Sequence, residues 1–263
     1  MNIMKKNSPL IIKIGGALIE TEGALTAFMQ GIHAFLQQSP RPLVLVHGGG
    51  CLVDDLLNGL GMTSTKKNGL RVTPVEQIPY ITGALAGTAN KLMLAEAIAQ
   101  GLNPVGLCLG DGGICTVTQL DPELGAVGEC HPGKAELLTV LLSHNMIPVI
   151  SSIGISTDGQ LMNVNADQAA IALAEVLGAE LIMLSDVEGI LDAQKKLIPA
   201  LDTAQTAALI AQGVITDGMA VKVNAALKVS AAINQPIIVA SWRDPSLLIK
   251  LAAGESAGTV IQA

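Results

Sequence analysis

Short runs of β-branched and aliphatic residues alternate along the chain with longer stretches in which Ala and Leu recur at helical spacing. The runs at 10–14, 43–47, 104–108, 148–151, 181–185 and 236–239 read as strands. Helices are predicted over 22–38, 51–60, 75–100, 134–144, 166–178, 203–212 and 219–233. Repeated strand–helix–strand units build a mostly parallel sheet with helices on both faces, so the predicted class is α/β, an open three-layer αβα sandwich. Two places break the alternation and read as hairpins: 66–73 around Asn68-Gly69, and 156–164 around Asp158-Gly159. Hairpins at strand ends often carry side chains over a site. Between Gly112 and Gly128, alternating Val, Thr and Gly suggest further short strands with no helix. A helix ending on Gly178 just before a new strand marks the weakest point of the chain, and divides it into lobes at 1–178 and 179–263.

Composition narrows this picture. The 263 residues suffice for one large α/β domain or two lobes sharing a sheet. Half are apolar and only 2% aromatic, so Leu, Ile, Val and Ala must build the core. The net charge is −7 and Lys and Arg are scattered, which argues against a nucleic-acid surface but leaves room for a locally basic pocket. Cys51, Cys108, Cys115 and Cys130 show neither zinc-ligand nor disulfide-framework spacing and read as buried, reduced thiols of a cytoplasmic protein. The start, Met1 to Lys6 followed by Leu10-Ile11-Ile12, has the outline of a signal peptide. Lys13 interrupts the apolar run and no small-residue cleavage site follows, so it reads as the first strand. No run approaches the ~20 apolar residues of a membrane-spanning helix.

Chemistry enters with glycine and lysine. Ile14-Gly15-Gly16 with Lys13 beside it, and His47-Gly48-Gly49-Gly50, each follow an apolar strand. Glycines there let backbone N–H groups approach an anion at the positive end of a helix, although either turn alone could be a simple strand-to-helix connection. Neither the P-loop pattern nor G-x-G-x-x-G occurs. His-Gly-Gly-Gly also serves as an oxyanion segment in esterases, but the required G-x-S-x-G elbow is approached only by Gly154-Ile155-Ser156-Thr157-Asp158, which lacks the last glycine. In Asn163-Val164-Asn165-Ala166-Asp167 the polar residues alternate and are expected to share one face, with Asp167 in the first turn of a helix. Arg71 follows a hairpin turn and has the fork that grips a carboxylate, or else is simply solvated. Ser185 to Asp192 form a loop at a strand end, where ligands bind in open α/β sheets.

Taken in order, Val46-His47-Gly48-Gly49-Gly50, Lys67-Asn68-Gly69-Leu70-Arg71-Val72-Thr73, Asn163-Val164-Asn165-Ala166-Asp167-Gln168-Ala169-Ala170, Leu184-Ser185-Asp186-Val187 and Gly218-Met219-Ala220-Val221-Lys222 resemble the amino acid kinase family over nearly the whole chain, and most closely its branch acting on N-acetyl-L-glutamate. The resemblance implies ATP-dependent phosphorylation of that substrate's side-chain carboxylate in arginine biosynthesis. It implies that Lys13 and Lys222 stabilise the transferring group, that Asp167 holds those lysines, and that Gly49, Gly50, Arg71 and Asn163 bind substrate. Asp186, Val187, Glu188, Gly189, Ile190, Leu191, Val214, Ile215 and Thr216 would contact the nucleotide, with Mg2+ on its phosphates and no metal held by the protein. About nine residues precede the first strand, so the resemblance points to an unregulated homodimer without nucleic-acid or membrane partners. The alternatives are a kinase of free glutamate or aspartate, or a catalytically silent nucleotide-binding sensor.

Overall fold

The aliphatic runs lie side by side in one sheet. The computed structural model describes residues 8–67, 69–215, 217–244, 246–253, 255 and 257–263, with the side chains at 217, 218, 221 and 222 outside the description. Strand β1 (Leu10–Ile14) leads into the one-turn helix α1 (Gly16–Glu20) and α2 (Ala24–Gln38), and β2 (Leu43–His47) into α3 (Gly50–Gly59). The hairpin β3 (Thr65–Lys67) and β4 (Leu70–Val72) precedes α4 (Ile78–Thr82), a π-helical segment Gly83–Ala89 and α5 (Asn90–Ala99). Then come β5 (Pro104–Cys108), β6 (Cys115–Gln119), β7 (Val127–Pro132), α6 (Glu136–Ser143), β8 (Ile147–Ser151), β9 (Ile153–Ile155), β10 (Leu161–Val164) and α7 (Ala166–Leu177). The chain closes with β11 (Glu180–Ser185), β12 (Ala200–Leu201), α8 (Thr203–Ala211), α9 (Asp217–Ile233), β13 (Ile237–Ser241), α10 (Leu247–Ala252) and β14 (Thr259–Ile261).

Among the described residues, eight strands form the main sheet in the order β12-β14-β13-β11-β1-β2-β8-β5. From β13 to β5 every pairing is parallel; β14 runs antiparallel to β13 and carries β12 beside it. Helices α2, α5 and α10 cover one face, and α6, α7 and α9 the other, which is the three-layer sandwich predicted. Because both faces are covered, the central strands are aliphatic except at Lys13 and His47 near their ends, and neighbours split between the layers: Ile12 and Ile14 enter the α2 side, Ile11 the α7 side. Each such fully buried side chain contributes about 1.5–3 kcal/mol.

Strands β1, β2 and β5 match the predicted limits to the residue, and Gly178 ends α7 in the left-handed conformation (φ 57°). The stretch from 112 to 128 supplies β6 and the start of β7, which join β10 and β9 in a second, four-stranded sheet. Helices α1 and α10 and strands β12 and β14 had no sequence prediction: at two to six residues, none is long enough to show a period.

Candidate active site

Adjacent parallel strands β1 and β2 deliver both glycine turns to the same edge of the sheet, where α/β folds hold their ligands. The turns touch. A methyl group on Gly16 would stand 3.3 Å from Gly50 N and 3.4 Å from Gly49 Cα, so a larger residue there would displace the second turn. A Cβ on Gly49 would come within 3.1 Å of Leu85 Cδ2 in the π-helical segment. Helix α3 starts at Gly50 without a side-chain cap on Gly49, while Glu20 Oε1 accepts from the Leu52 N–H at 3.2 Å.

Lys13, between Val46 and Met183 in the sheet, points to the α7 layer. Its Nζ lies 2.8 Å from Asp167 Oδ1, the two meeting as charges without hydrogen-bond alignment. Asp167 is in the first turn of α7 as expected, and Asn165 lines the same cavity as Asn163, as their alternation suggested, while also capping the helix. β10 ends at Val164, and the Asn165 side-chain oxygen caps α7 by accepting from Asp167 N (2.8 Å) and Gln168 N (3.3 Å). A cap of this kind is worth about 1 kcal/mol. Asn163 donates to the buried Thr73 Oγ1 at 3.1 Å.

Gly48, Gly49, Gly50, Arg71 and Asn163 line one cavity of about 210 Å³, together with Lys66. Arg71 reaches it from β4, with its side chain only 8% exposed. Its Nη1 donates to Asp54 and to Ser64 Oγ, and its Nη2 to the Gly50 carbonyl at 2.8 Å. Three of the five guanidinium donors are thereby used, and two have no partner among the described residues. Hydrogen bonding from Arg71 holds the Asp54 carboxyl well below its ordinary range, at about 2. Asp54, Ser64 and Lys66 escaped the sequence reading. Nothing in the Asp54-Asp55 pair on α3 indicates that a residue 17 positions away will fold onto Asp54.

A sequence model of the amino acid kinase family matches residues 8–241. The chain belongs to the amino acid kinase family. It is 64% identical over 252 residues to the acetylglutamate kinase of Aeromonas salmonicida, covering 96% of this chain and 97% of that one. With the acetylglutamate kinase of Moritella profunda it shares 56% over 254 residues, 97% of this chain and 96% of that one. Among solved structures, smu.665 from Streptococcus mutans superposes with a TM-score of 0.77 at 27% identity, over 97% and 98% of the two chains.

The remaining predicted residues of this amino acid kinase lie beyond β11. Asp186 and Glu188 border a second cavity of about 490 Å³ with Arg243, Asp244 and Lys250. Trp242 Nε1 donates to Asp186 Oδ1 at 2.8 Å, and Arg243 to the Asp186 carbonyl at 2.6 Å. Ser185 Oγ accepts from the Val187 N–H at 3.3 Å, and Val214 is partly buried. Ile190 and Ile215 are buried together with Leu201 and Val223, so only their backbones can serve a ligand. Gly189 passes close to Thr259 and Leu197, and Leu191 bridges to Leu197. Thr216 lies outside the described residues. Lys222 belongs to α9, which packs on α7, but its side chain lies outside the described residues.

His47 has no catalytic partner. It is fully buried, its Nδ1 lies 2.8 Å from the Gly48 carbonyl and its Nε2 3.1 Å from Asn90 Nδ2, and burial lowers its pKa to about 4. The esterase alternative therefore gains nothing here. The expectation of buried thiols holds for Cys115; Cys51 is exposed, because its position on α3 faces solvent. Among the described residues no helix is long and apolar enough to cross a membrane.

Proposed function

We propose that this chain transfers the γ-phosphoryl group of ATP to the side-chain carboxylate of N-acetyl-L-glutamate, releasing ADP and N-acetyl-L-glutamyl 5-phosphate for arginine biosynthesis. The observation that carries this reading is one small cavity lined by Gly48, Gly49, Gly50, Arg71 and Asn163, with the Gly16 turn packed against Gly49 and Gly50 and the Lys13–Asp167 pair beginning one residue beyond its lining residue Ala166. Near-full-length identity to acetylglutamate kinases supports the choice of substrate.

The acceptor is a carboxylate with an ordinary pKa of about 4.3, so it is ionised at neutral pH and needs no general base. The obstacle is charge, because an anion must approach an anionic triphosphate in line with the departing ADP. In this reading Lys13 and Lys222 neutralise the equatorial oxygens, and Asp167 fixes the ammonium of Lys13. Gly49 and Gly50 supply backbone N–H donors that no side chain obstructs. The two remaining donors of Arg71 grip a substrate carboxylate, and Asn163 completes the pocket. Asp186 to Leu191 and 214–216 hold the nucleotide. Magnesium would travel with the nucleotide's phosphate oxygens and help to neutralise their charge.

The same reading gives the lobe 1–178 to substrate binding and dimerisation and 179–263 to ATP, in a cytoplasmic homodimer. Val75, Tyr80, Leu92 and Ile98, exposed along the 75–99 stretch, support the dimer. An assay of ADP release with N-acetylglutamate, glutamate and aspartate tests the proposal. Turnover is expected with the first alone; comparable kcat/KM with a free amino acid, or none with any acceptor, would overturn it.

A further inference from the structure

His47 and Asn90 are among the buried polar residues that the mechanism does not use. His47 ends β2, in register with Ile14 and Ser151, and its ring enters the α5 layer, across the sheet from Lys13 and Asp167. It meets Asn90, the first residue of α5, which is 1% exposed.

We propose that Asn90 is a positioning residue for phosphoryl transfer: it fixes the tautomer of His47, and through it the glycine turn that faces the substrate. The orientation of the Asn90 amide is itself determined. Nδ2 lies 2.9 Å from the Val149 carbonyl, which can only accept, and Oδ1 lies 2.9 Å from Lys91 Nζ, which can only donate. A flipped amide would oppose acceptor to acceptor and donor to donor. Nδ2 therefore faces His47 Nε2 as a donor, at 3.1 Å, and Nε2 must be the unprotonated nitrogen. The ring proton then sits on Nδ1, 2.8 Å from the Gly48 carbonyl, and is donated to it. The Gly49 N–H shares the planar peptide unit of that carbonyl and points the opposite way, so pinning the carbonyl fixes the direction of this donor in the turn that lines the cavity.

Two features reinforce the arrangement. The π-helical segment before Asn90 presses Leu85 and Ala89 against Gly49, at 3.1 and 3.4 Å from where a Cβ would stand. Such segments recur at functional sites because they re-aim side chains from within a helix. On the other side Gly106 leaves the room this network needs, since a Cβ there would fall 2.3 Å from Asn90 Oδ1. Lys91 is the charged group bearing on the ring, while β1 and β8 present Ile14 and Ser151.

The inference rests on the phosphoryl-transfer reading, and the tests separate the two. In 15N spectra of histidine-labelled full-length protein, His47 is expected as a neutral ring protonated on Nδ1 from pH 6 to 8; the opposite tautomer overturns the proposal without touching the reading. In Asn90→Asp, the carboxylate can hold His47 doubly protonated, and Nδ1–H still reaches Gly48. As pH rises and the ring loses a proton, the carboxylate retains the one on Nε2, and a bare Nδ1 faces the Gly48 carbonyl. The kcat of Asn90→Asp should then fall tenfold or more with rising pH where the parent's is flat, with KM for acetylglutamate moving less. A folded Asn90→Asp protein, checked by thermal melting, with the parent's pH profile overturns the proposal. If that variant does not fold, the parent spectrum alone decides. A parent enzyme without acetylglutamate-dependent ADP release would sink the reading and leave the tautomer measurable.

Discussion

The two cavities differ in how their polar groups are held. At the glycine turns, Arg71 and His47 are buried and satisfied by several partners each, including Asp54, Ser64, the Gly50 carbonyl and Asn90. Beyond β11 the larger cavity is edged by charges in water: Arg243 and Asp186 are 59% and 62% exposed, with Arg243 lying 4.6 Å over the ring of Trp242. Buried hydrogen bonds act in a low dielectric and fix geometry, whereas exposed ion pairs are screened and typically worth under about 1 kcal/mol. The smaller cavity is thus pre-organised for a small acceptor, and the larger has an adaptable rim.

This contrast can be broken experimentally. Its severest test is Lys13→Ala, and Lys222→Ala beside it: each should lower kcat by about 10²–10³-fold, the usual effect of removing a transition-state donor, with little change in melting. Steady-state kinetics with an undiminished kcat would strip that lysine of its role.

The next effect is on stability in acid. His47 has its pKa lowered by burial from 6.5 to about 4, so between those values the unfolded chain takes up a proton that the folded one refuses. Stability from this group is complete above pH 6.5 and falls as pH drops towards 4, by roughly 3 kcal/mol. Urea melts across that range should show the slope in the parent and lose this part of it in His47→Gln; identical slopes would refute it.

Arg71→Ala should raise KM for acetylglutamate by about tenfold or more, the cost of a lost charge-assisted pair, and Asp54→Asn should do so more weakly by loosening the fork. A kcat loss with KM unmoved would place Arg71 in the chemical step instead. The smallest effect sharpens the other half of the comparison: Arg243→Ala should change stability by less than about 1 kcal/mol in thermal melts. A loss well above about 1 kcal/mol would show that the second rim is held as rigidly as the first.

What could be read in advance follows the range of each interaction. The limits of β1 and β2 are legible because a strand covered on both faces is aliphatic along nearly all its length, with Lys13 and His47 only near the ends, and Gly178 because a helix stop is local. Lys13, Gly49, Gly50 and Asp167 stood out because they occupy the ends of such elements. Alternation places Asn163 and Asn165 on the same cavity, but it does not show that the Asn165 oxygen also caps α7, because the cap depends on where the strand ends.

The sequence by itself determined the alternation of strands and helices, the glycine turns at strand ends and the charge types available, since these depend on neighbours within a few residues. Only the tertiary structure decided that Asp54 closes on Arg71, that Lys13 meets Asp167 across a helix start, and that Asn90 reads the ring of His47 from 43 positions away. Those pairings depend on which strands lie together and which layer each side chain enters, and a buried donor is satisfied by whatever acceptor the packing brings to it.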